Sequence, residues 1–557
     1  MSFAGTAMPE ALANARREPA RFLVFALLWA GVFLFAAVPV LAVVRQAASG
    51  EDGLDAAALW GYLNQEVVWR AFRNSVALAL ATGITSTLAG FILAYTVTRT
   101  TAPGRRLFHL LALLPIVAPP FVLALAIILL FGRSGLISSA LLGIRGADVY
   151  GFGSLLLIQT LSFSSLAYLN IRGMLLAMDA SLEDASLSLG ASSWRTFRKI
   201  TLTLCGPAVV VSFILVFVRS LEDFGNPMLI GGNYTTLAVE AYTQITSMYN
   251  MSAGSVLALA LLVPSMSAFL VQHYWTRRKS YVTVTGKPGR EPVRNDHPLA
   301  VGGLTLLCAL ITGATLLLYG TVFAISFMRT VGADSTLTLA HYHHIFDSGF
   351  RSLRNSIELA LIAAPITAFG GMLVAYLLNG RALPGAGGLR WLTRLAFAAP
   401  GTIVGIGFIL AFNGPPLELT GTAMIIVAAM AIRNMQVGID AGENQLRQVD
   451  PSIQEASQAL GASGWRTFWR ISFPLMLPAL FTALAYAFTR SLITLSAVIF
   501  LVSADWTLVT VTILGQIQSS ALSTAAAYCV LLVVVVLAVL AATSLILNFI
   551  GGKRRNA

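Results

Sequence analysis

Long apolar runs separated by short polar segments set the pattern of this chain. Twelve runs can be drawn: residues 22–44, 75–97, 107–131, 152–177, 206–226 and 252–275, then 299–326, 356–378, 391–413, 421–440, 475–502 and 522–549. A helix of about 20 apolar residues crosses roughly 30 Å of hydrocarbon, so each run is long enough to span a bilayer. The pattern predicts an all-α, polytopic membrane protein of about 12 spans in two homologous six-helix halves. Correspondences between the halves support the division. Phe72-Arg73-Asn74-Ser75 and Leu353-Arg354-Asn355-Ser356 each open a helix, and these end in Ala94-Tyr95 and Ala375-Tyr376. Proline follows in both, at Leu114-Pro115 and Pro119-Pro120 in one half and at Pro400 in the other. Six helices per half make this a parallel repeat.

The expected organisation is a tail over 1–21, a first half over 22–275 with its repeated core at 74–275, and a polar linker over 276–298. A second half follows over 299–549, with its core at 355–549, and then a tail over 550–557. The first run follows Arg16, Arg17 and Arg21 in the manner of a signal peptide, but its 23 residues exceed a cleaved apolar region, which runs to about 15. It is expected to remain as a membrane anchor.

Between the fourth and fifth runs of each half lies a polar island. The first carries Asp184-Ala185-Ser186 and Gly190 and continues through Trp194-Arg195-Thr196-Phe197 to Ile200; the second carries Glu455-Ala456-Ser457 and Gly461 and continues through Trp465-Arg466-Thr467-Phe468 to Ile471. Aligned without gaps over 183–200 and 454–471, the islands agree at 11 of 18 positions. Each is expected to form a short helix, a glycine turn at positive φ and a second helix. Trp194 with Phe197, and Trp465 with Phe468 and Trp469, would share a helix face. Asp184 and Glu455 would leave a carboxylate near the front helix, for a basic partner or for the helix N-terminus. One island alone could be an amphipathic helix on the bilayer; two, symmetrically placed, favour a docking role.

Composition agrees with a membrane protein. The chain is 57% hydrophobic and 11% charged, where soluble proteins are about a quarter charged. The net charge of +12 follows topology: with the N-terminus inside, inside segments hold 26 of the 36 basic residues, while 226–251, 414–420 and 503–521 hold none. By the positive-inside rule both termini and both islands are expected in the cytoplasm, and the charge marks no nucleic-acid surface. Cys205, Cys308 and Cys529 share no metal-ligand spacing and read as buried thiols.

Arg219 and Arg490 take equivalent places inside the fifth spans. They either line a translocation path or clamp helix ends. Glu222 and Asp223, absent from the second half, either attract a cationic substrate or neutralise Arg219; Asn226 follows them. His341, His343 and His344, with Asp347, form a minor metal candidate in a segment that also reads as a short surface helix with Leu339, Tyr342 and Phe346 inward. No G-x-x-x-x-G-K-[ST] phosphate loop is present, so the chain itself is not expected to hold ATP or to be an enzyme.

The islands resemble the coupling loop of type I binding-protein-dependent ABC importer permeases, a pattern E-A-A-x-x-x-G followed after nine residues by I-x-L-P. The second island matches with Glu455, Ala456, Gly461, Ile471 and Pro474, with Ser457 and Phe473 as departures. The first has Asp184 and Ser186, and Thr203 where proline is usual. Leu221-Glu222-Asp223-Phe224-Gly225-Asn226-Pro227 with Gly231-Gly232-Asn233, and Ser496–Val502 with Ala525–Tyr528, resemble fused ferric-iron permeases. The resemblance implies a multi-pass subunit of the bacterial inner membrane that imports a small solute, ferric iron first. Thiamine, 2-aminoethylphosphonate, polyamine and sulfate are alternatives. It implies no cofactor in this chain, with ATP and Mg bound by two copies of a cytoplasmic ABC ATPase docked on the islands. It further implies a periplasmic or lipid-anchored solute-binding protein and surrounding lipid. An ion-coupled transporter and a membrane-embedded enzyme are the rival classes.

Overall fold

Apolar segments in a bilayer must satisfy their backbone internally, and helices do so within one segment. The computed structural model describes residues 19–50, 53–54, 56–119, 121–133, 135–144, 146, 148–179, 181–278, 296–379 and 383–555, and these are mostly helical. Among the described residues, eleven helices are long and apolar enough to cross a membrane, or twelve when one bent pair counts as a span. Residues 1–18 of the N-terminal tail, the linker segment 279–295 and Arg381 lie outside the described residues. Arg172 and Arg433, assigned to inside segments by sequence, lie instead within helices Phe152–Ala177 and Ala423–Leu446.

The third run of each half is not one straight helix. Arg105–Val117 and Val122–Phe131 are separate helices, and Ala386–Ala398 meets Gly401–Phe412 at 111°. Pro119 and Pro400 stand at the breaks, where proline supplies no N–H and its ring obstructs the preceding turn. Pro115 sits inside the first of these helices without ending it. The fifth runs also differ from expectation. Their helices stop at Leu221 and Leu492 and extend backward through π-helical turns into the islands, as Ser193–Leu221 and Gly464–Leu492. The apolar residues beyond Leu492 leave the helix, and Ala497 packs against Gly405, where an added Cβ would collide with the Ala497 carbonyl.

Packing does not follow chain order, and two compact units result. One contains the N-terminal helix, Ser348–Thr512 and the chain from Val534. Its core includes Phe25, Val32 and Ala36 beside Phe408 and Phe412, and Phe35 lies 5.5 Å from Phe412 between ring centroids. Gly407 admits this helix closely, since a Cβ there would meet the Pro39 carbonyl; small residues at a crossing let backbones approach. The other unit spans Leu59–Asp347 with Ile513–Val533. In it helix Pro298–Ile325 contributes Cys308 to a core of Leu93, Ala94, Phe108 and Tyr168. In each unit the second and fourth helices of the half cross at a glycine: an added Cβ at Gly90 would sit 2.7 Å from Ala167 Cβ, and at Gly371 2.7 Å from the Met435 carbonyl oxygen.

Short strands Met328–Thr330 and Asp334–Leu337 pair antiparallel, Met328 opposite Leu337. They precede helix Ala340–His344. Tyr342 donates to Ser326 Oγ at 2.8 Å, but Leu339 and Phe346 are both 56% exposed, so only one of the three expected inward residues is inward.

Candidate functional site

The two islands adopt the same hairpin. In the first, helix Ser181–Ser188 ends at Gly190, whose φ is +82°; in the second, Pro451–Ala459 ends at Gly461, with φ +78°. A backbone bond spans each turn, Ala191 N–H to the Ser186 carbonyl and Ala462 N–H to the Ser457 carbonyl, both 3.1 Å. This is a left-handed glycine closing a helix. Ser192 and Ser463 then cap the next helices, each accepting from an arginine N–H at 3.3 Å. A π-helical turn follows at matching places, Phe197–Thr201 and Phe468–Ser472. The serines in the second-alanine position of the motif also have a role. Ser186 Oγ lies 2.9 Å from Thr196 Oγ1, and Ser457 Oγ lies 2.9 Å from Thr467 Oγ1, tying the front helix to the rear one.

What fastens each hairpin to its unit differs. In the first, the buried acid is Glu183, one place before the expected Asp184. Its Oε2 lies 2.9 Å from Arg99 Nε, and its Oε1 accepts from Thr201 Oγ1 at 2.6 Å. Asp184 is partly buried beside it, and Glu455 in the second island is exposed. The second island is held by Tyr376, which donates to the Gly464 carbonyl at 2.7 Å and packs 4.7 Å from Phe468. Arg21 of the N-terminal helix lies over the Tyr376 ring at 5.9 Å, a cation–π distance.

The aromatic faces predicted from helical spacing exist, with the phenylalanines turned toward the helices and the tryptophans reaching solvent. Phe197 packs edge-on against Tyr95 at 5.1 Å, and Phe468 is fully buried, its ring against Tyr376 and Phe473. Of the expected aromatics, Trp194 is 68%, Trp465 36% and Trp469 42% exposed. The most exposed apolar side chains are Leu189 and Leu460, each 89% exposed at the tip just before the glycine. Sequence reasoning passed over them, although Leu-Gly-Ala is identical in both islands. Ala185 and Ala456 are exposed beside them.

In the unit that spans Leu59–Asp347, at the end away from its island, Arg133, Asp148, Tyr150, Phe152, Asn233 and Tyr234 line a cleft of about 450 Å³. Between these ends sits a polar network at membrane depth. Arg219 Nη1 and Glu222 Oε2 form an ion pair at 3.0 Å. Asp223 accepts from Gln159 Nε2 and Asn226 Nδ2, both at 2.8 Å, and Gln159 Oε1 accepts from Thr82 and Ser220. Asp223 and Asn226 are therefore buried partners in this conformation. Arg490 holds the equivalent place on helix Phe473–Leu492 and is partly buried.

The histidine candidate does not converge. Among the described residues no three His, Cys, Asp or Glu side chains are placed to share a metal. His341 Nε2 instead lies 3.0 Å from the Met328 carbonyl and Nδ1 3.1 Å from Thr524 Oγ1. His343 and His344 share only its short helix.

Comparison with known proteins divides the chain as the islands do. The family described as the inner membrane component of binding-protein-dependent transport systems matches it twice, over residues 86–281 and 368–551. The chain is 36% identical over 523 residues to the ferric transport system permease protein FbpB of Actinobacillus pleuropneumoniae, covering 91% of this chain and 76% of that one. It is 36% identical over 487 residues to the putative ferric transport system permease protein FbpB 1 of Haemophilus influenzae, covering 85% and 77%. The molybdenum transport system permease protein ModB of Escherichia coli aligns at 31% identity over 216 residues, 93% of its own length but 38% of this chain.

Proposed function

The chain belongs to the family of binding-protein-dependent transport system inner membrane components, and on that premise we propose that it is the fused permease of an ATP-driven ferric-iron importer. Two ATPase subunits dock on the two islands from the cytoplasm, where both termini also lie. A solute-binding protein delivers cargo at the opposite end, and ATP with its Mg is held by the ATPase, not by this chain. The observation that carries the docking reading is the duplicated hairpin. Each half presents one leucine at 89% exposure on a left-handed glycine turn, an apolar projection of the kind that fills a partner's pocket. Open space surrounds both glycines, with nothing within 4 Å of an added Cβ, so a bulky residue there strains the positive-φ turn but meets no neighbour in this chain, and stands where a docked partner would come. The ferric assignment is supported by two relatives bearing that name that align along most of the chain.

The test is uptake of radioactive ferric iron by proteoliposomes holding the chain with its ATPase and binding protein. Iron uptake that is ATP-dependent and lost in the Gly190→Trp/Gly461→Trp double variant, with the ATPase no longer retained on purification, is the expected result. Normal uptake by that variant removes the docking role; transport of molybdate but not iron removes the cargo.

A further inference from the structure

Helices Glu66–Arg99 and Phe350–Asn379 are equivalent in the two halves, and each is fastened at both ends. Near the N-terminal end of the first, Asn74 Nδ2 donates to the Thr235 carbonyl at 3.0 Å, and the Tyr234 hydroxyl donates to the Asn74 carbonyl at 2.8 Å. The adjacent Ser75 hydroxyl accepts the Leu237 N–H at 2.8 Å. Leu237 opens helix Leu237–Thr246, so the serine satisfies a donor that the helix itself leaves open. The second half repeats this with different neighbours. Asn355 Nδ2 donates to the Asp505 and Thr507 carbonyls at 3.0 and 3.2 Å, and Ser356 Oγ accepts the Val509 N–H at 2.8 Å, the first residue of helix Val509–Gln518.

At their C-terminal ends the same two helices reach the islands. Arg99 closes the first on Glu183, and Tyr376 near the end of the second donates to the Gly464 carbonyl. The first helix has 34 residues, which at 1.5 Å each is roughly 50 Å of continuous hydrogen-bonded rod. Outside the island hairpins, not every polar contact is kept in both halves. The Gln159–Asp223 pair has Met430 and Thr494 at the equivalent places, by the offset that aligns the islands. The asparagine–serine pair is present twice, with the same atoms doing the same thing.

We propose that Asn74–Ser75 and Asn355–Ser356 are positioning residues, a pair of latches that turn each of these helices into a strut between its island and the segment at the opposite mouth. Movement imposed on an island by the ATPase is then delivered to residues 231–246 in one half and 498–518 in the other. The inference rests on the islands being the ATPase docking points.

The experiment uses the full complex in nanodiscs, with single reporters Asn233→Cys and Ala504→Cys in the latched segments. Both positions are exposed, and Cys205, Cys308 and Cys529 are buried. Labelling by a membrane-impermeant maleimide is compared with and without trapping of the ATPase by ATP and vanadate. With the latches intact, trapping changes the labelling rate by about 5-fold or more, the lower range of ordinary coupling between sites. Ser75→Ala with Ser356→Ala, and more completely with Asn74→Leu and Asn355→Leu added, reduces the change to below about 2-fold, outside that range. Trapped nucleotide stays at the parental amount, which also reports that the complex has assembled. Ser75→Thr with Ser356→Thr, keeping the hydroxyl, retains the response. A full response in the alanine variants, or loss in the threonine variants equal to that in alanine, overturns the latch. Failure of the parental complex to retain and trap ATPase overturns the docking reading instead.

Discussion

Arg99 Nε and Glu183 Oε2 are 2.9 Å apart, on side chains only 4% and 8% exposed. The pair joins the end of a long helix to the front of the first island, and Thr201 brings in the rear helix by donating to the same carboxylate. Removing one partner of a buried pair strands the other charge and costs about 3–5 kcal/mol, whereas replacing both with apolar residues costs far less. Glu183→Ala is therefore expected to lower the melting temperature of the purified protein more than Arg99→Leu combined with Glu183→Leu. Equal losses would show that the pair is not held as a buried unit.

The serine–threonine ties predict unequal effects in the two islands. Ser457 and its bond are buried, while the Ser186 bond is partly open to solvent. A buried hydroxyl left without its partner costs about 1–3 kcal/mol, and a solvated one recovers part of that from water. Ser457→Ala should destabilise more than Ser186→Ala in the same melting measurement.

Leu189 and Leu460 contribute little to the stability of the isolated chain, each being 89% exposed. Full burial of such a side chain against a partner is worth about 1.5–3 kcal/mol, at about 10-fold in affinity per 1.4 kcal/mol. Leu460→Ser is expected to leave melting unchanged and weaken ATPase retention about 10-fold in a titration. Unchanged affinity for Leu460→Ser and for Leu189→Ser would place the contact elsewhere on the islands.

Two glycines are expected to rank substitutions in opposite orders. Gly461 has free space and a φ of +78°, so asparagine, which tolerates the left-handed region, should cost less there than alanine, at about 1–2 kcal/mol. Gly371 has no such φ, but an added Cβ would lie 2.7 Å from the Met435 carbonyl oxygen. There alanine should already cost about 1–3 kcal/mol by overpacking and asparagine more. Thermal melts of the four variants decide it.

Local chemistry was legible where a pattern occurs twice. The helix–glycine–helix hairpins and the breaks at Pro119 and Pro400 could be read directly, because turn residues and missing donors act within a few positions, whereas Pro115 is accommodated inside its helix. Hydropathy failed where an apolar segment is not a helix. Ile493–Leu501 is apolar because it packs against helices such as Gly401–Phe412, and a window average cannot separate that from a span. Helical spacing placed Phe468 beside Trp465 correctly but could not tell which face meets solvent. That depends on Tyr376, 92 positions earlier in the chain. Glu183 was missed for the same reason, since its partner Arg99 is remote.

The N-terminal helix finds its neighbours late. Its contacts with Gly407, Phe408 and Phe412 cannot form until those residues have left the ribosome, at about 5–20 residues per second. More than 350 residues separate Pro39 from Phe412, so the wait is roughly 20–70 seconds at that pace. In water an apolar helix left alone that long would invite aggregation. In a bilayer the acyl chains solvate it as well as leucine would, and the interlaced order of assembly becomes tolerable because the first helix made is already in a good solvent.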